Sequence, residues 1–388
     1  MSLFPGAGLM AVPGGRMEGF RGNGNGGGRR EEMAEVNLDD VAQLAAGDPS
    51  GMLGEVEGLP AQCLEALEIG RGLQDLPSSA GIRRVAFAGM GGSAIGGDVL
   101  RVLLQDEVSL PITVHRGYSI PLSMGRDTLL FAVSYSGNTE ETLSAVEAAM
   151  RQGCAIVAAS SGGTLSRWAE DSGLPLIRVP AGKQPRAALA YLSLPMGVVL
   201  ERMGMVEGFS SRVERAVEKL RKKKEEWGRL SPTQSNLAKQ MAHRLVGKIP
   251  VIYGAGEALS VAAYRWKCQF NENSKVPAFC HALPEMDHNE IVGFQERSDL
   301  TRLLEVVFLV SEDETPRMRR RVEITAEIVG EAAGGVTVLH VGGANDLERL
   351  FTALFLGDLV SVYLALLRGI DPTPVESIAA LKKRMAEA

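Results

Sequence analysis

"VAFAGMGGSAIGGDVL", residues 85–100, is a short apolar run that enters a glycine-rich turn and leaves it as a helix-like segment. Strand, tight turn and helix in that order form the first half of a βαβ unit, whose helix N-terminus presents free N–H groups to an anion. "GMGGSA" fits the G-x-G-x-x-A pattern of dinucleotide-binding turns, with Gly89, Gly91 and Ala94 in the required places. Taken alone the match is weak, because a turn that cradles a single phosphate makes the same use of glycine. Neighbouring strands must decide which anion is meant.

Outward from this stretch, "RVAFAGM", "ITVHRG", "TLLFAVSYS", "CAIVAAS" and "LPLIRVP" are short apolar runs separated by segments of helical character. That alternation predicts an α/β fold with a parallel sheet and helices on both faces. The chain has 388 residues, 45% hydrophobic and 23% charged, enough for two domains with sizeable cores. A net charge of -6 gives no basic footprint for nucleic acid, and no window suggests a membrane span. The four cysteines, Cys63, Cys154, Cys268 and Cys280, show no paired spacing, which fits a reducing cytoplasm and signals neither zinc nor disulfides. Residues 1–37 read as a disordered glycine-rich leader.

The pattern then repeats. After a charged run, "SRVERAVEKLRKKKEEWGRL", expected to be a solvated linker helix over residues 206–232, "IPVIYGAGEALSVAAYRWKCQF" echoes residues 83–104. "LLEVVFLVSEDETPRMRRR" likewise echoes "TLLFAVSYSGNTEETLSAV", in the same order, so the chain reads as a duplication with one unit over 38–205 and a second over 233–388. In the first copy the third strand opens into Ser134, Tyr135, Ser136, Gly137, Asn138 and Thr139; the second has Ser311, Glu312, Asp313, Glu314 and Thr315 there. Acidic side chains repel an anion, which assigns any anion site to the first copy.

A dinucleotide site also needs an acidic residue after the second strand to hold the ribose, whereas "ITVHRG" supplies His115 and Arg116. Arg116 suits a 2′-phosphate, which keeps an NADP-dependent dehydrogenase as an alternative. A terminal phosphate needs donors converging on its outer oxygens. Gly91, Gly92 and Ser93 from one turn and Ser134, Ser136 and Thr139 from the other offer such a set at the carboxyl ends of adjacent strands. Thr139 alone, followed by Glu140 and Glu141, reads first as a helix N-cap.

"GMGGSAIGGD" with "SYSGNTEET" is similar to the sugar-isomerase (SIS) domain. Two such units, with "FNENSKVPAF" and "PEMDHNEI" in the second, resemble the bifunctional phosphoglucose/phosphomannose isomerase family over residues 40–388. The resemblance implies tandem flavodoxin-like three-layer SIS domains and a cofactor-free, metal-free aldose–ketose isomerase acting on phosphorylated hexoses. It implies Glu272 as the proton-shuttling base, His288 as the ring-opening group donated across a homodimer interface, Arg186 in "KQPRAAL" as the cation facing the enediolate, and Lys382 in "SIAALKKRM" as an active-site lysine, with Lys383 its rival. The residue types suit these tasks: a partly desolvated carboxylate can move a proton between adjacent carbons, and histidine titrates near neutrality. A metal route through His281, Glu285 and His288 is disfavoured by Pro284, which interrupts any helical face carrying all three. A non-catalytic sugar-phosphate sensor keeps the serine turn but has no use for Glu272 and His288.

Overall fold

The computed structural model describes residues 36–387 and the dipeptide Met10–Ala11; the rest of the expected leader lies outside the described residues. The first sheet contains β1 (Arg84–Ala88), β2 (Ile112–His115), β3 (Thr128–Val133), β4 (Ala155–Ser160) and β5 (Leu176–Arg178) in the spatial order β2-β1-β3-β4-β5, every pair parallel. The second contains β6 (Ile249–Ala255), β7 (Phe279–Leu283), β8 (Leu304–Ser311) and β9 (Gly335–Val341) in the order β7-β6-β8-β9, again parallel, with Met10–Ala11 antiparallel against β9. The matching order of the first four strands is the physical form of the sequence duplication. All six residues of β3 are buried, as a strand covered on both faces requires. Phe87 on β1 lies opposite Phe131 on β3, and their rings stack at 5.1 Å.

In both sheets the order reverses between the first and third strands. Carboxyl ends of strands at such a switch point open a crevice into which the following turns project. After α1 (Val41–Gly47), α2 (Met52–Glu57) and α3 (Leu59–Gly72), the first crevice is bounded by the turn before α4 (Gly91–Leu104) and by the turn between β3 and α5 (Glu140–Gln152). Beyond α6 (Gly163–Asp171), α7 (Leu194–Arg202), α8 (Phe209–Trp227) and α9 (Leu237–Leu245), its counterpart lies before α10 (Gly256–Gln269) and between β8 and α11 (Pro316–Ala332).

Two helices differ from the sequence expectation. The charged run forms a helix over Phe209–Trp227, but Phe209, Val213, Ala216, Val217, Leu220 and Trp227 on it are buried. Arg212 pairs with Glu107, Glu214 with Arg71, and the Lys219 ammonium donates to the Gly342 carbonyl at 2.6 Å, so this helix ties the two units together rather than trailing between them. The helix over Asp346–Leu367, α12 below, is long and apolar enough to cross a membrane, contrary to the reading that no window approached this. Within this fold 94% of that window is buried, and Trp266 donates from its indole N–H to the Ala353 carbonyl at 2.8 Å. Its apolar character fills the core.

Candidate active site

The glycine turn binds nothing by side-chain capping. Met90 precedes α4 in extended conformation and makes no capping bond, which leaves the first N–H groups of α4 without a side-chain partner at the end of the helix that borders the crevice. Thr139 occupies the N-cap position of α5 yet makes no side-chain cap either, so its reading as a cap is corrected. Its hydroxyl instead meets the Ser134 hydroxyl at 2.9 Å. In the second copy Thr315 does cap α11, accepting from the Met318 N–H at 3.3 Å, and Arg349 sits 2.9 Å from Asp313. At this turn the cap that α5 lacks is present on α11, whereas α4 and its counterpart α10 both lack a side-chain cap.

The hydroxyls keep their protons available. Ser93 Oγ accepts from the Tyr135 N–H at 3.1 Å, which locks the two turns together and leaves its O–H to donate. Ser136 Oγ accepts from the Asn138 N–H at 3.3 Å in the same manner. Of the Ser134 and Thr139 pair, one hydroxyl proton bridges the two oxygens and the other remains. Ser134 is fully buried, Ser136 exposed and Thr139 between, so the set grades from floor to rim. Gly137 holds the turn shape: at φ 69° a Cβ there would lie 1.8 Å from the Gly162 carbonyl oxygen.

This turn is joined directly to the cation expected to act in catalysis. A Cβ on Gly92 would stand 2.9 Å from the Pro185 carbonyl oxygen and 3.2 Å from the Arg186 nitrogen. Gly92→Ala should therefore push the Arg186 backbone away and lower kcat/KM by about 10²-fold, the scale of an ångström-sized misplacement, while steady-state assays of Gly91→Ala, whose Cβ meets open space, isolate the cost of its φ of 49°.

Arg186 is 3% exposed, with Nε and Nη2 held by hydrogen bonds and Nη1 turned toward Gln184 Oε1 (3.4 Å) and Glu272. Nε donates to Asn273 Oδ1 at 2.6 Å, Nη2 to the carbonyls of Pro372 (2.9 Å) and Thr373 (2.7 Å), and Nη1 lies 3.6 Å from Glu272 Oε2. Burial pulls its pKa below the ordinary arginine value while the Glu272 charge pulls it back up. Arginine stays protonated across this range, so a buried permanent cation faces the carboxylate.

Glu272 does not end an ordinary helix. After α10 the backbone widens into a π turn over Phe270–Ser274, closed by Lys275 in the left-handed conformation at φ 54°. Such single-turn widenings recur at functional positions. Asn273 and Ser274 are fully buried: Asn273 Nδ2 donates to Ser361 Oγ at 2.9 Å, and Ser274 Oγ to the Ser361 carbonyl at 2.6 Å. Glu272 itself stays 30% exposed, on the wall of a cleft of about 740 Å³ that also includes Lys275, Asp371, Val375 and Glu376.

Beneath both groups runs a buried network that the sequence reading missed. Arg265 on α10 grips Asp358 on α12 at 2.9 and 2.7 Å and donates to the Arg186 carbonyl at 2.7 Å. Gln269 also donates to Asp358, at 2.8 Å, and Ser361 Oγ donates to the Asp358 carbonyl at 2.7 Å. Burial raises the Asp358 pKa, and Arg265 opposes the rise most strongly. The second copy thus props up a cation carried by the first.

Other expected residues are not gathered here. His288 is exposed on a 3₁₀ turn over Glu285–His288 and does not line the Glu272 cleft. Lys382 and Lys383 are exposed on α13 (Glu376–Ala386) and do not line it either; Lys275 does. Arg116, the residue on which an NADP site would depend, is paired with Asp98 and lies 5.8 Å over the Tyr264 ring.

The sequence has close relatives of known description. Residues 234–385 match the bacterial phospho-glucose isomerase C-terminal SIS domain. A bifunctional phosphoglucose/phosphomannose isomerase of Caldicellulosiruptor bescii is 40% identical over 336 residues, covering 87% of this chain and 99% of the relative. One from Thermoplasma acidophilum is 34% identical, covering 84% of this chain and all of its own. In structure, a glucose-6-phosphate isomerase like protein from Thermus thermophilus superposes with a TM-score of 0.60 at 17% identity, covering 89% of this chain and 99% of its own, which speaks to the fold alone. With near-complete coverage at that identity, the chain belongs to the bifunctional phosphoglucose/phosphomannose isomerase family.

Proposed function

We propose that the protein interconverts glucose 6-phosphate and mannose 6-phosphate with fructose 6-phosphate at one site spanning both copies. The observation that carries this is the continuous path from the uncapped, hydroxyl-rich crevice, through Gly92 against Pro185, to Arg186 and then Glu272. The phosphate is received by the Gly91 and Gly92 N–H groups and by the Ser93, Ser134, Ser136 and Thr139 hydroxyls, and the sugar extends toward the second copy.

Glu272 removes the C2 proton of the aldose and returns it to C1, and the reverse path protonates C2. The intermediate is a cis-enediolate whose oxygen charge is met by Arg186; a preorganised donor of this kind is worth about 10²- to 10³-fold in rate. Because C2 is planar in the enediolate, the one base on one side gives either epimer when rotation about C2–C3 turns the other face of C2 toward it. Each aldose enters mainly as a ring, so a proton must first move between the ring oxygen and O1, a task suited to an imidazole. His288, exposed and away from the Glu272 cleft of its own chain, fits donation from the partner of a cytoplasmic homodimer, and Lys382 on the exposed α13 remains the proposed lysine of the assembled site.

A coupled assay starting from fructose 6-phosphate, following the two aldose products separately with and without a chelator, tests the reading. Both products should form at rates the chelator leaves unchanged. Formation of only one, or loss of both on chelation, would contradict it.

A further inference from the structure

Lys275 directly follows the "FNENS" stretch that carries Glu272, and its surroundings are unusual. Its three ammonium protons all point at backbone carbonyls: those of Glu272, Asn273 (3.4 Å) and Pro372 (2.9 Å). The Pro372 carbonyl also accepts from Arg186 Nη2 at 2.9 Å. Two cations that repel one another therefore converge on one oxygen. Asp371, Glu272 and Glu376 are the acidic groups facing Lys275, and burial with the nearby Arg186 charge draws its pKa down. A lysine in left-handed conformation is disfavoured relative to glycine, and such residues persist where the surrounding structure holds them.

We propose that Lys275 is a positioning residue for isomerisation, its ammonium fastening the Glu272 turn to the segment 371–375 so that the Glu272 carboxylate and Arg186 guanidinium keep one alignment on the sugar. This rests on the reading of Glu272 as the base. Lys275 moves no proton in the reaction, since all three N–H bonds are committed to carbonyls. It acts through the main chain: it ties the carbonyl of the base to the same segment that Arg186 grips at Pro372 and Thr373. Asn271 adds a parallel tie within the turn, donating to the Val276 carbonyl at 2.8 Å, and Arg186 bridges Asn273 to the same segment, so Lys275 supplies the tie that runs through the Glu272 carbonyl itself.

The test compares Lys275→Met, Lys275→Gly, Lys275→Arg and Glu272→Gln in the full-length protein, with kcat and KM measured for each hexose phosphate and folding followed by circular dichroism. Lys275→Gly relieves the left-handed backbone, so it removes the ammonium while favouring the observed turn. Lys275→Met and Lys275→Gly should each lower kcat by about 10- to 100-fold on both aldoses, with KM within about threefold, because the phosphate crevice is untouched. Lys275→Arg, which keeps a charged donor, should recover much of the loss. Turnover of Lys275→Gly within about twofold of wild type, with Glu272→Gln inactive, overturns the proposal and leaves the base in place. A parallel rise in KM without rescue by arginine overturns it too, by assigning Lys275 a general structural role. If Glu272→Gln keeps its turnover, the base reading fails first and this proposal with it.

Discussion

Glu272→Gln should lower kcat on both glucose 6-phosphate and mannose 6-phosphate by about 10⁴-fold, the upper end of what a positioned general base contributes, and by the same factor for each. Glutamine keeps the size of the side chain and can still face Arg186, but it cannot take a proton from carbon. Substrate binding should change little, because the crevice that holds the phosphate lies in the other copy and shares no hydrogen bond with residue 272. Equal loss on both aldoses is the discriminating part: two separate bases for the two epimers would leave one activity standing. Rapid-mixing assays of product formation, alongside a binding titration with fructose 6-phosphate, separate the chemical step from affinity.

The second large effect is on stability. Asp358→Ala removes the partner of Arg265, a guanidinium that is 4% exposed and held by two short bonds to this carboxylate. An uncompensated buried charge costs about 3–5 kcal/mol, far more than the bond itself contributes. The loss should appear as a lowered midpoint in urea unfolding. It should reach activity as well, since Arg265 also holds the Arg186 carbonyl. Replacing both members with apolar residues of similar size should recover much of the stability and little of the activity, because packing replaces the ion pair but nothing replaces the donor to Arg186. If Asp358→Ala unfolds at the wild-type midpoint, the pair is not the internal support described here.

Much of the fold was legible because its signals are local. The strand-to-helix turns at residues 89–93 and 134–139 occupy a few consecutive positions, and the duplicated order of apolar runs needs only periodicity to be seen. The contrast between the serine turn and its acidic counterpart was equally local, and the capped α11 against the uncapped α5 gives it a structural form. Thr139 shows where local reading misleads: the position is an N-cap, but the hydroxyl turns to Ser134, a choice made by tertiary packing. α12 carries the length and composition of a membrane span because it is buried all round in the core, and apolar length alone does not distinguish a membrane helix from one wrapped by its own protein. Arg265 and Asp358 are 93 residues apart and Lys275 and Pro372 are 97 apart, so no pattern along the chain couples them. The clue that was present is that Lys275 directly follows the motif carrying the base.

In the proposed complex one sugar phosphate bridges the two copies, its phosphate in the serine crevice of the first and its C1 and C2 atoms beside residue 272 of the second. A crystal structure of the Glu272→Gln protein soaked with fructose 6-phosphate tests this most directly. Phosphate oxygens should lie within hydrogen-bonding distance of the Ser93, Ser136 and Thr139 hydroxyls, with residue 272 and Arg186 flanking C1 and C2. Phosphate bound instead at the Ser311–Thr315 turn, or a sugar lying away from residue 272, would contradict it.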